Sequence, residues 1–433
     1  MYRRFFSSFT LFAFLLVTLS GGLLFAGGGQ EGEGGSMEQQ EPETFTMYWN
    51  TNHRYEVYQE VIDEFAAENN LEIDLQTFLW PDMRTKLLTD FSGGTVPDMI
   101  QVPAPWISEF GSQGLMMDMT EMIEAWPESS DWFDAAWIEV TSGGRQYGIK
   151  NHHTTFGLFY NKDLFREAGL DPEDPPANLT EFRDTMEVIA DELGPDILGF
   201  AFDQDAGYIV NFFANGDTPS LLENGEIAID TPEVREAMET LQEIAANDWA
   251  LIAEPGASYQ NARRAFIEGS VAMMLSGPWD LANLANNAPD MDYGITVPPH
   301  LDGVEPRTIV AGTAIGIPAG SEHPELAWEL IKRLTALDIQ IAATQEAGML
   351  MPRKSWSEAP EVAAEPGVSD FARIVPYAVP FDIGAASEGY TEIMWSGGGG
   401  DLTTQLYQNI IYDRTPAAQA LEEYVRAGNR IID

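Results

Sequence analysis

The sequence predicts an α/β fold of more than one domain, in which mainly parallel sheets are flanked by helices. From residue 45 onward, short apolar segments alternate with amphipathic segments of helical period, and this order favours parallel sheets covered on both faces. The length of 433 residues exceeds one ordinary core and suggests two or three domains. A hydrophobic content of 44%, with 11% aromatic residues, is ample for packed cores and excludes disorder of the whole chain.

The amino terminus has the layout of a secretory signal peptide. Arg3 and Arg4 precede a nearly uncharged apolar run that ends in small residues. We predict a signal peptide over 1–26, cleaved after Ala26, and then a flexible tether over 27–43, which is rich in Gly, Glu and Gln. The alternative is an uncleaved anchor, because the apolar run is just long enough to span a bilayer.

The charge of the chain is strongly negative. Only 22 basic residues stand against 69 acidic ones, for a net charge of −47. Such a surface repels nucleic acid and anionic lipid head groups, so we expect neither as a partner. The acids are scattered through every segment rather than clustered, which favours a solvated coat over a catalytic or metal-binding surface. We therefore expect a source from high salt, where screening relieves the repulsion, and a less stable fold at low salt.

The sequence contains no Cys. Its absence excludes disulfides, thiolate catalysis and metal sites built on Cys. We expect neither a metal nor a cofactor.

Strands and helices alternate at the start of the folded part. The predicted elements are strands at 45–49, 71–78 and 97–102, helices at 55–69 and 81–91, and a further helix after the third strand. The carboxyl ends of parallel strands meet at one edge, where open α/β sheets bind ligands. The segments at this edge supply six candidate ligand contacts: Trp49, Asn50, Asn52, His53, Trp80 and Trp106. Each Trp alone fits a core equally well, but aromatics at three successive strand ends exceed what packing needs.

A polar connection follows a short Tyr-Gly-Ile strand at 147–149. It carries Asn151, His152 and His153 before a second strand and a helix. As a metal site the His pair is weak, because neighbours in an extended segment point in opposite directions and no third ligand is spaced nearby. Hydrogen bonding to ligand hydroxyls is the better functional interpretation, and an ordinary structural connection is the alternative.

The second half of the chain contains the segment RAFIEGSVAMMLSGPWD, from Arg264 to Asp280. The end of a helix is followed by Gly269, suited to a left-handed cap, and by an apolar run too short for another helix. Ser-Gly-Pro then forces a turn that delivers Trp279 to the carboxyl end of the predicted strand. From its chemistry Trp279 is either a lid on the core or a platform for a ligand, and Asp280 is a candidate polar contact.

The remaining predicted elements surround this segment. They are strands at 198–202 and 293–297, helices at 232–247 and 258–268, an apolar segment at 310–318, a helix at 324–334, and final helices at 402–412 and 416–427. Gly312 allows a backbone to approach closely, either to a ligand or at a tight bend. Trp395 precedes four glycines, which predict a mobile loop, and this Trp is a candidate lid contact or a core residue.

Two segments carry a specific resemblance. Phe-x-x-Gly, an Ala- and Met-rich strand and Gly-Pro-Trp at 266–279, together with Tyr-Gly-Ile and Gly-Leu-Phe-Tyr-Asn-Lys-Asp-Leu-Phe at 147–165, resemble the extracellular solute-binding proteins of ABC importers, in particular the sugar-binding family that includes maltose-binding protein. Recognisable pieces extend from about 97 to 334. The resemblance implies a two-lobe periplasmic-binding-protein fold, and that Trp279 stacks on a sugar ring. Asp205 and Tyr208 resemble the acidic and aromatic ligand contacts of the family.

The implied architecture has three passages between lobes. Residues 44–151 and 308–350 would form lobe 1, and 152–307 and 351–433 lobe 2. Hinge closure would bury a carbohydrate between the lobes, and the closed form would be read by the permease subunits of an ABC transporter. We expect an exported monomer, periplasmic or at the cell surface. Gly27 stands where many relatives carry a lipid-modified Cys, so lipid anchoring at that site is excluded.

Two rival functions stay open at this stage. A secreted glycoside hydrolase would use the same Trp and carboxylate inventory, but needs two carboxylates facing each other across a bond, and no nucleophile motif is present. A receptor for a polyamine, a peptide or another cation is the other alternative, because of the negative charge. Multiple aromatics beside neutral polar residues favour a sugar, and we expect no enzyme.

Overall fold

The computed structural model describes residues 41–202, 206–216, 222–223, 226–252, 260–379, 390–393 and 401–432. The predicted signal peptide and nearly all of the tether lie outside these ranges. Described residues from Pro42 onward belong to one compact unit. In the described parts, no helix combines the length and apolar character needed to cross a membrane.

Strands and helices are numbered here in chain order. In the described ranges the strands are β1 Glu43–Asn50, β2 Leu71–Phe78, β3 Met99–Pro103, β4 Thr141–Ser142, β5 Arg145–Gln146, β6 Gly148–Lys150, β7 Thr154–Thr155, β8 Gly157–Asn161, β9 Leu198–Phe202, β10 Leu222–Glu223, β11 Glu226–Ile227, β12 Ala250–Ile252, β13 Val271–Ser276, β14 Tyr293–Thr296, β15 Thr308–Ala311, β16 Thr313–Gly316 and β17 Ala378–Val379. The helices are α1 Glu56–Asn69, α2 Trp80–Gly93, α3 Ala104–Ser112, α4 Thr120–Glu124, α5 Lys162–Glu167, α6 Leu179–Leu193, α7 Ala206–Asn215, α8 Pro232–Ala246, α9 Gln260–Ile267, α10 Leu281–Asn287, α11 Pro324–Leu334, α12 Leu337–Ala347, α13 Lys354–Ser357, α14 Pro360–Ala363, α15 Val368–Ile374, α16 Tyr390–Ile393, α17 Leu402–Tyr407 and α18 Ala417–Ile432.

Two five-stranded sheets form the two lobes. The first has the order β2-β1-β3-β16-β6 and the second β12-β9-β13-β8-β14. In the first sheet β16 is antiparallel to both of its neighbours, and in the second β8 is, while the other neighbouring pairs are parallel. Four of the five strands in each sheet therefore run in one direction. The predicted two-lobe α/β fold with mainly parallel sheets is confirmed.

Several predicted elements agree with the structure residue by residue. β2, β9 and α11 have the predicted bounds, and Gly269 has the left-handed conformation, with φ of +73°. Elsewhere the differences affect the candidate site. Helix α2 begins at Trp80 rather than after it, and α3 begins directly after β3, so that Trp106 lies inside a helix and not in a loop.

Large apolar side chains on the central strands fill the core of each lobe. Phe45 and Met99 are fully buried in the first sheet, as are Phe200 and Met273 in the second. Each such side chain contributes about 1.5–3 kcal/mol when it is buried. Strand β8 is buried along its whole length, because it lies between β13 and β14 with helices on the faces of the sheet.

A small third sheet, β17-β15-β7, lies where the chain passes between the two larger ones. Strand β7 follows the first sheet's β6, and β15 precedes the first sheet's β16. The two are antiparallel, with Val310 opposite Thr155. Buried hydroxyls reinforce this hinge sheet, since Thr155 Oγ1 donates to Ile309 O at 2.9 Å and Thr308 Oγ1 lies 2.7 Å from Asn211 Oδ1.

After α12 the chain stays in contact with the first lobe beyond residue 350, where the sequence predicted its passage to lobe 2. The buried Arg353 guanidinium donates to Asp131 Oδ2 at 3.1 Å and stacks over Trp132, 4.5 Å from the ring centroid. Ser355 also donates its backbone N–H to Asp131 Oδ1. Contact with the second sheet follows at α15, where Phe371 lies 5.9 Å from Phe159 of β8.

Gly312 separates β15 from β16 in the segment predicted as a single apolar run. Its φ is +134°, and a Cβ at this position would lie 2.1 Å from the carbonyl oxygen of His152. The close approach is therefore between two crossing backbones, which corresponds to the tight-bend interpretation of Gly312.

We expect Gly312→Ala to destabilise the protein by about 3 kcal/mol or more, because backbone strain and a clash with backbone add together. Urea unfolding would measure the loss. Gly303→Ala is the matched control, since Gly303 has φ of +78° but open space around it, and should cost only about 1–2 kcal/mol. Equal losses for the two variants would contradict the close contact.

Candidate ligand-binding site

The candidate site lies at the edge of the first sheet where β1, β3 and β6 end and β16 begins. β1 ends at Asn50, and Gln101 lies in the middle of β3. Asn151 and His152 follow β6 directly, opposite Thr313 at the start of β16, and both donate their backbone N–H groups to Thr313 O, at 3.0 and 3.2 Å. The parallel strands thus bring polar side chains from three separate segments to one place, as expected of such an edge.

Asn50, His53 and Gln101 form one hydrogen-bonded group. The backbone N–H of Asn50 can only donate, so the atom that faces it at 3.4 Å is Gln101 Oε1. This oxygen can only accept, and it lies 3.2 Å from His53 Nδ1. The proton of a neutral His53 is therefore on Nδ1, and its Nε2 is an acceptor.

His152 is fixed by Thr313. Thr313 Oγ1 donates its one proton to Asn151 Oδ1 at 3.0 Å and lies 2.9 Å from His152 Nδ1. Toward His152 the hydroxyl oxygen must accept, so His152 Nδ1 carries the proton and Nε2 holds a lone pair.

The rings of His53 and His152 meet edge to face, with centroids 4.9 Å apart and planes at 89°. Burial lowers the pKa of His53 to about 4, and the bond to Gln101 opposes this shift. Burial also lowers the pKa of His152 well below its usual value, with further lowering from His53 and Lys150. Both rings are consequently neutral near pH 7. Among the described residues, no group of three or more His, Asp and Glu could hold a metal.

Four side chains at this edge keep a polar atom without a hydrogen-bond partner among the described residues. They are Asn50 Nδ2, Gln101 Nε2, Asn151 Nδ2 and His152 Nε2. Each side chain is at most 1% exposed. A buried polar atom left unpaired costs roughly 1–3 kcal/mol, so such a concentration is typical of a functional site rather than of a folding core. We refer to Asn50, Gln101 and His152 as the polar cluster.

The tryptophans of the first lobe divide into two groups. Trp49 is 2% exposed and donates its Nε1–H to His53 O, and Trp106 is fully buried against Arg84 and Phe110. Neither ring has a free face in this structure, so both act as core residues here. Trp80 is half-buried at the start of α2, 5.6 Å from the His53 ring, and so lies near the polar cluster.

At the matching edge of the second sheet Trp279 is half-buried and meets Phe156 edge to face, with centroids 5.3 Å apart. A Cβ on Gly277 would lie 2.3 Å from the Trp279 ring, so only glycine permits this ring position. Asp280 is buried and bonded to Ser276, Arg263 and Asn283. Its carboxylate is engaged within the lobe, and burial raises its pKa against the opposing effect of Arg263.

The remaining candidate ligand contacts are Asn52, His153, Asp205, Tyr208 and Trp395. Asn52 is exposed in the turn after β1, and its backbone N–H donates to Asn50 Oδ1. His153 is buried beside Phe133, with its backbone N–H donated to Leu350 O, away from the His53–His152 pair. Asp205 and Trp395 lie outside the described residues, and of Tyr208 the structure describes only that its backbone is in α7.

Gln101 and Thr313 were not predicted as site residues. Gln101 is the one polar residue within MIQVP, a strand buried along its whole length, and a polar side chain in such a run was a detectable signal. Thr313 had no comparable signal, because its role follows from the crossing at Gly312.

The loss of unfolding free energy at acid pH should depend on the protonation of His53. In the unfolded chain His53 binds its proton near pH 6.5 and in the folded chain only near 4, so stability is lost as the pH falls from 6.5 towards 4. Asn at this position keeps a donor near Nδ1 but does not titrate. Between pH 6.5 and 5 the wild type should lose about 1–2 kcal/mol more unfolding free energy than His53→Asn, measured by urea denaturation. Equal slopes in the two proteins would contradict a His53 ring that is neutral in the folded state.

Comparison with known proteins identifies the family of the chain. The profile of the family described as bacterial extracellular solute-binding protein matches residues 49–341. The arabinooligosaccharide-binding protein of Bacillus subtilis is 24% identical over 301 residues, covering 67% of this chain and 68% of that protein. The maltotriose-binding protein of Pyrococcus abyssi is 23% identical over 330 residues, covering 75% and 69%.

Solved structures support the same fold. The solute-binding protein of an ABC transporter from Thermotoga lettingae, bound with α-D-tagatose, superposes with a TM-score of 0.80 at 22% identity, covering 90% of this chain and 100% of that one. This likeness shows a shared fold. Since the family profile spans well over half of the sequence, the chain belongs to the bacterial extracellular solute-binding proteins.

Proposed function

We propose that this protein captures a carbohydrate, a mono- or oligosaccharide, between its two lobes and delivers it to the permease of an ABC transporter. The observation that carries the proposal is the neutral polar cluster, with the half-buried Trp80 beside it at the edge of the first sheet. The half-buried Trp279 lies at the edge of the second sheet, which a hinge joins to the first. Relatives named for arabinooligosaccharide and maltotriose binding support the same ligand class.

The chemistry of the site matches that of a sugar. A sugar offers hydroxyl groups at its rim and weakly polarised C–H faces, so it needs neutral donors and acceptors together with aromatic planes. Amide and imidazole groups of the polar cluster supply the first, and Trp279 and Trp80 supply the second. A binding site needs few such groups when the rest of the ligand surface is enclosed.

Closure would occur about the hinge sheet of β7, β15 and β17. We propose lobe boundaries near 151 and 308, as predicted from the sequence. For the last passage we propose the stretch between α14 and α15 rather than 350, because Arg353 and Ser355 are bonded to Asp131. A ligand that touches both lobes favours the closed form, and the closed form is what a permease would recognise.

We further propose an exported monomer, in the periplasm or at the cell surface, released from a signal peptide over 1–26. We propose a binding protein rather than an enzyme, because the relatives named above are binding proteins. The net charge of −47 favours a cationic ligand as the second candidate.

A thermal-shift screen of the protein from Gly27 onward, in high salt, tests the ligand class. The panel contains maltotriose, arabinotriose, D-tagatose, other mono- and oligosaccharides, and spermidine. A sugar at about a hundred times its Kd should add about 2.7 kcal/mol of stability. A response to spermidine alone would reject the carbohydrate proposal in favour of a cation receptor.

Substituting Trp279 should show whether its ring stacks on the ligand or only packs within the second lobe. We expect Trp279→Ala to weaken sugar binding by roughly tenfold to a hundredfold, as for an aromatic anchor, when measured by titration calorimetry. Trp249→Ala is the matched control, because Trp249 is also half-buried but precedes β12, at the opposite edge of the second sheet. If both variants bind as the wild type does, Trp279 does not stack on the ligand.

We also propose that the protein is adapted to high salt. Raising potassium chloride from 0.1 M to 1 M shortens the Debye length from about 10 Å to about 3 Å and weakens repulsion among surface acids. The melting temperature should therefore rise over this range, as followed by circular dichroism. An unchanged or falling melting temperature would contradict the adaptation.

A further inference from the structure

The polar cluster contains two donors and one acceptor. Asn50 Nδ2 and Gln101 Nε2 are amide nitrogens with protons to donate. His152 Nε2 is a lone pair, because Thr313 holds the proton of the ring on Nδ1. These three atoms are buried and without a hydrogen-bond partner in the described ranges.

A chain of contacts connects the members of the polar cluster. The His152 ring lies 4.9 Å from the His53 ring, His53 Nδ1 lies 3.2 Å from Gln101 Oε1, and this oxygen lies 3.4 Å from the Asn50 backbone nitrogen. The backbone bonds of His152 to Thr313 fix one end of the chain of contacts, and the strand ends fix the other. These contacts therefore place the donors and the acceptor at one edge of the first sheet.

We propose that His152 Nε2 accepts the proton of one ligand hydroxyl while the amides of Asn50 and Gln101 donate to hydroxyl oxygens, so that His152 determines specificity for a ligand with a free hydroxyl at that position. This inference rests on the proposed carbohydrate-binding function. It deepens that function by assigning the direction of each hydrogen bond. A ligand in which this hydroxyl is replaced by hydrogen or a methyl ether leaves Nε2 unpaired and is rejected.

The surroundings keep His152 in the accepting form. The nearest cation, Lys150, is paired with Glu139 and lies beneath Gly312. Tyr55, directly before α1, lies 5.8 Å from the His152 ring, and Tyr58 follows within α1. Burial raises the pKa of both side chains, so both are neutral phenols. Glu346 of α12 accepts the backbone N–H groups of Glu56 and Val57 at the start of α1. No described carboxylate contacts His152 to favour an imidazolium.

Two substitutions at His152 distinguish a ligand contact from a structural role. In His152→Asn an amide nitrogen replaces Nδ1 and can still donate to Thr313, but no atom replaces Nε2. Gln places an oxygen near the position of Nε2. His300→Ala is the control, since His300 is a half-buried histidine of the second lobe whose ring Nδ1 donates to Leu301 O at 2.9 Å.

Titration calorimetry with the sugar that gives the largest thermal shift measures the effect. We expect His152→Asn to unfold at the wild-type temperature without ligand and to bind at least tenfold more weakly, with His152→Gln within a few-fold of the wild type. Wild-type affinity in His152→Asn, or equal losses in both variants, would overturn the inference. If the wild type binds no sugar, the proposed function itself fails.

Nitrogen-15 NMR of the histidine rings gives a readout that a structural role would not change. In the free protein at pH 7 the Nε2 signal of His152 should be that of an unprotonated nitrogen, and the sugar should shift it towards the hydrogen-bonded position. A protonated Nε2, or a signal that the sugar leaves unmoved, would refute His152 as the acceptor even if the variants lose affinity.

Discussion

The position of the site depends on a contact between two crossing backbones. Gly312 passes so close to the carbonyl of His152 that a side chain is excluded, and the N–H groups of Asn151 and His152 bond to Thr313 O. On the other side of this contact the two segments form β7 and β15, which pair with each other in the hinge sheet. The same few residues therefore end the first sheet, begin the hinge and set the His152 ring against His53. A displacement here would alter both the hinge and the site.

The site is electrically neutral although the chain carries a net charge of −47. Amides and neutral imidazoles are the polar groups of the cluster, and the nearby cation Lys150 is compensated by Glu139. Burial disfavours a charge of either sign. It keeps the histidines unprotonated, and it would make an unpaired carboxylate costly. The cluster therefore suits an uncharged, hydroxylated ligand.

The sequence was informative about the fold and less so about the site. β2, β9 and α11 have the predicted bounds because their apolar periods and their Gly and Pro boundaries are local properties. The roles of Trp49 and Trp106 could not be predicted in this way. An aromatic at the end of a strand has the same local pattern whether its ring faces a cleft or a neighbouring helix, and the packing of α2 and α3 decides between them. Thr313 and Arg353 depend on contacts between segments distant in sequence, which no local pattern reveals.

The two lobes offer different chemistry to a ligand, and this difference explains why closure can report occupancy. The first sheet edge supplies hydrogen-bond donors and an acceptor, and the second supplies the half-buried Trp279. A sugar has both a hydroxyl rim and an apolar face, so only the closed form satisfies both parts of it at once. A ligand shifts a conformational equilibrium only by its difference in affinity for the two states. Contacts divided between the lobes make that difference large, whereas a ligand bound by one lobe alone would leave the hinge where it was.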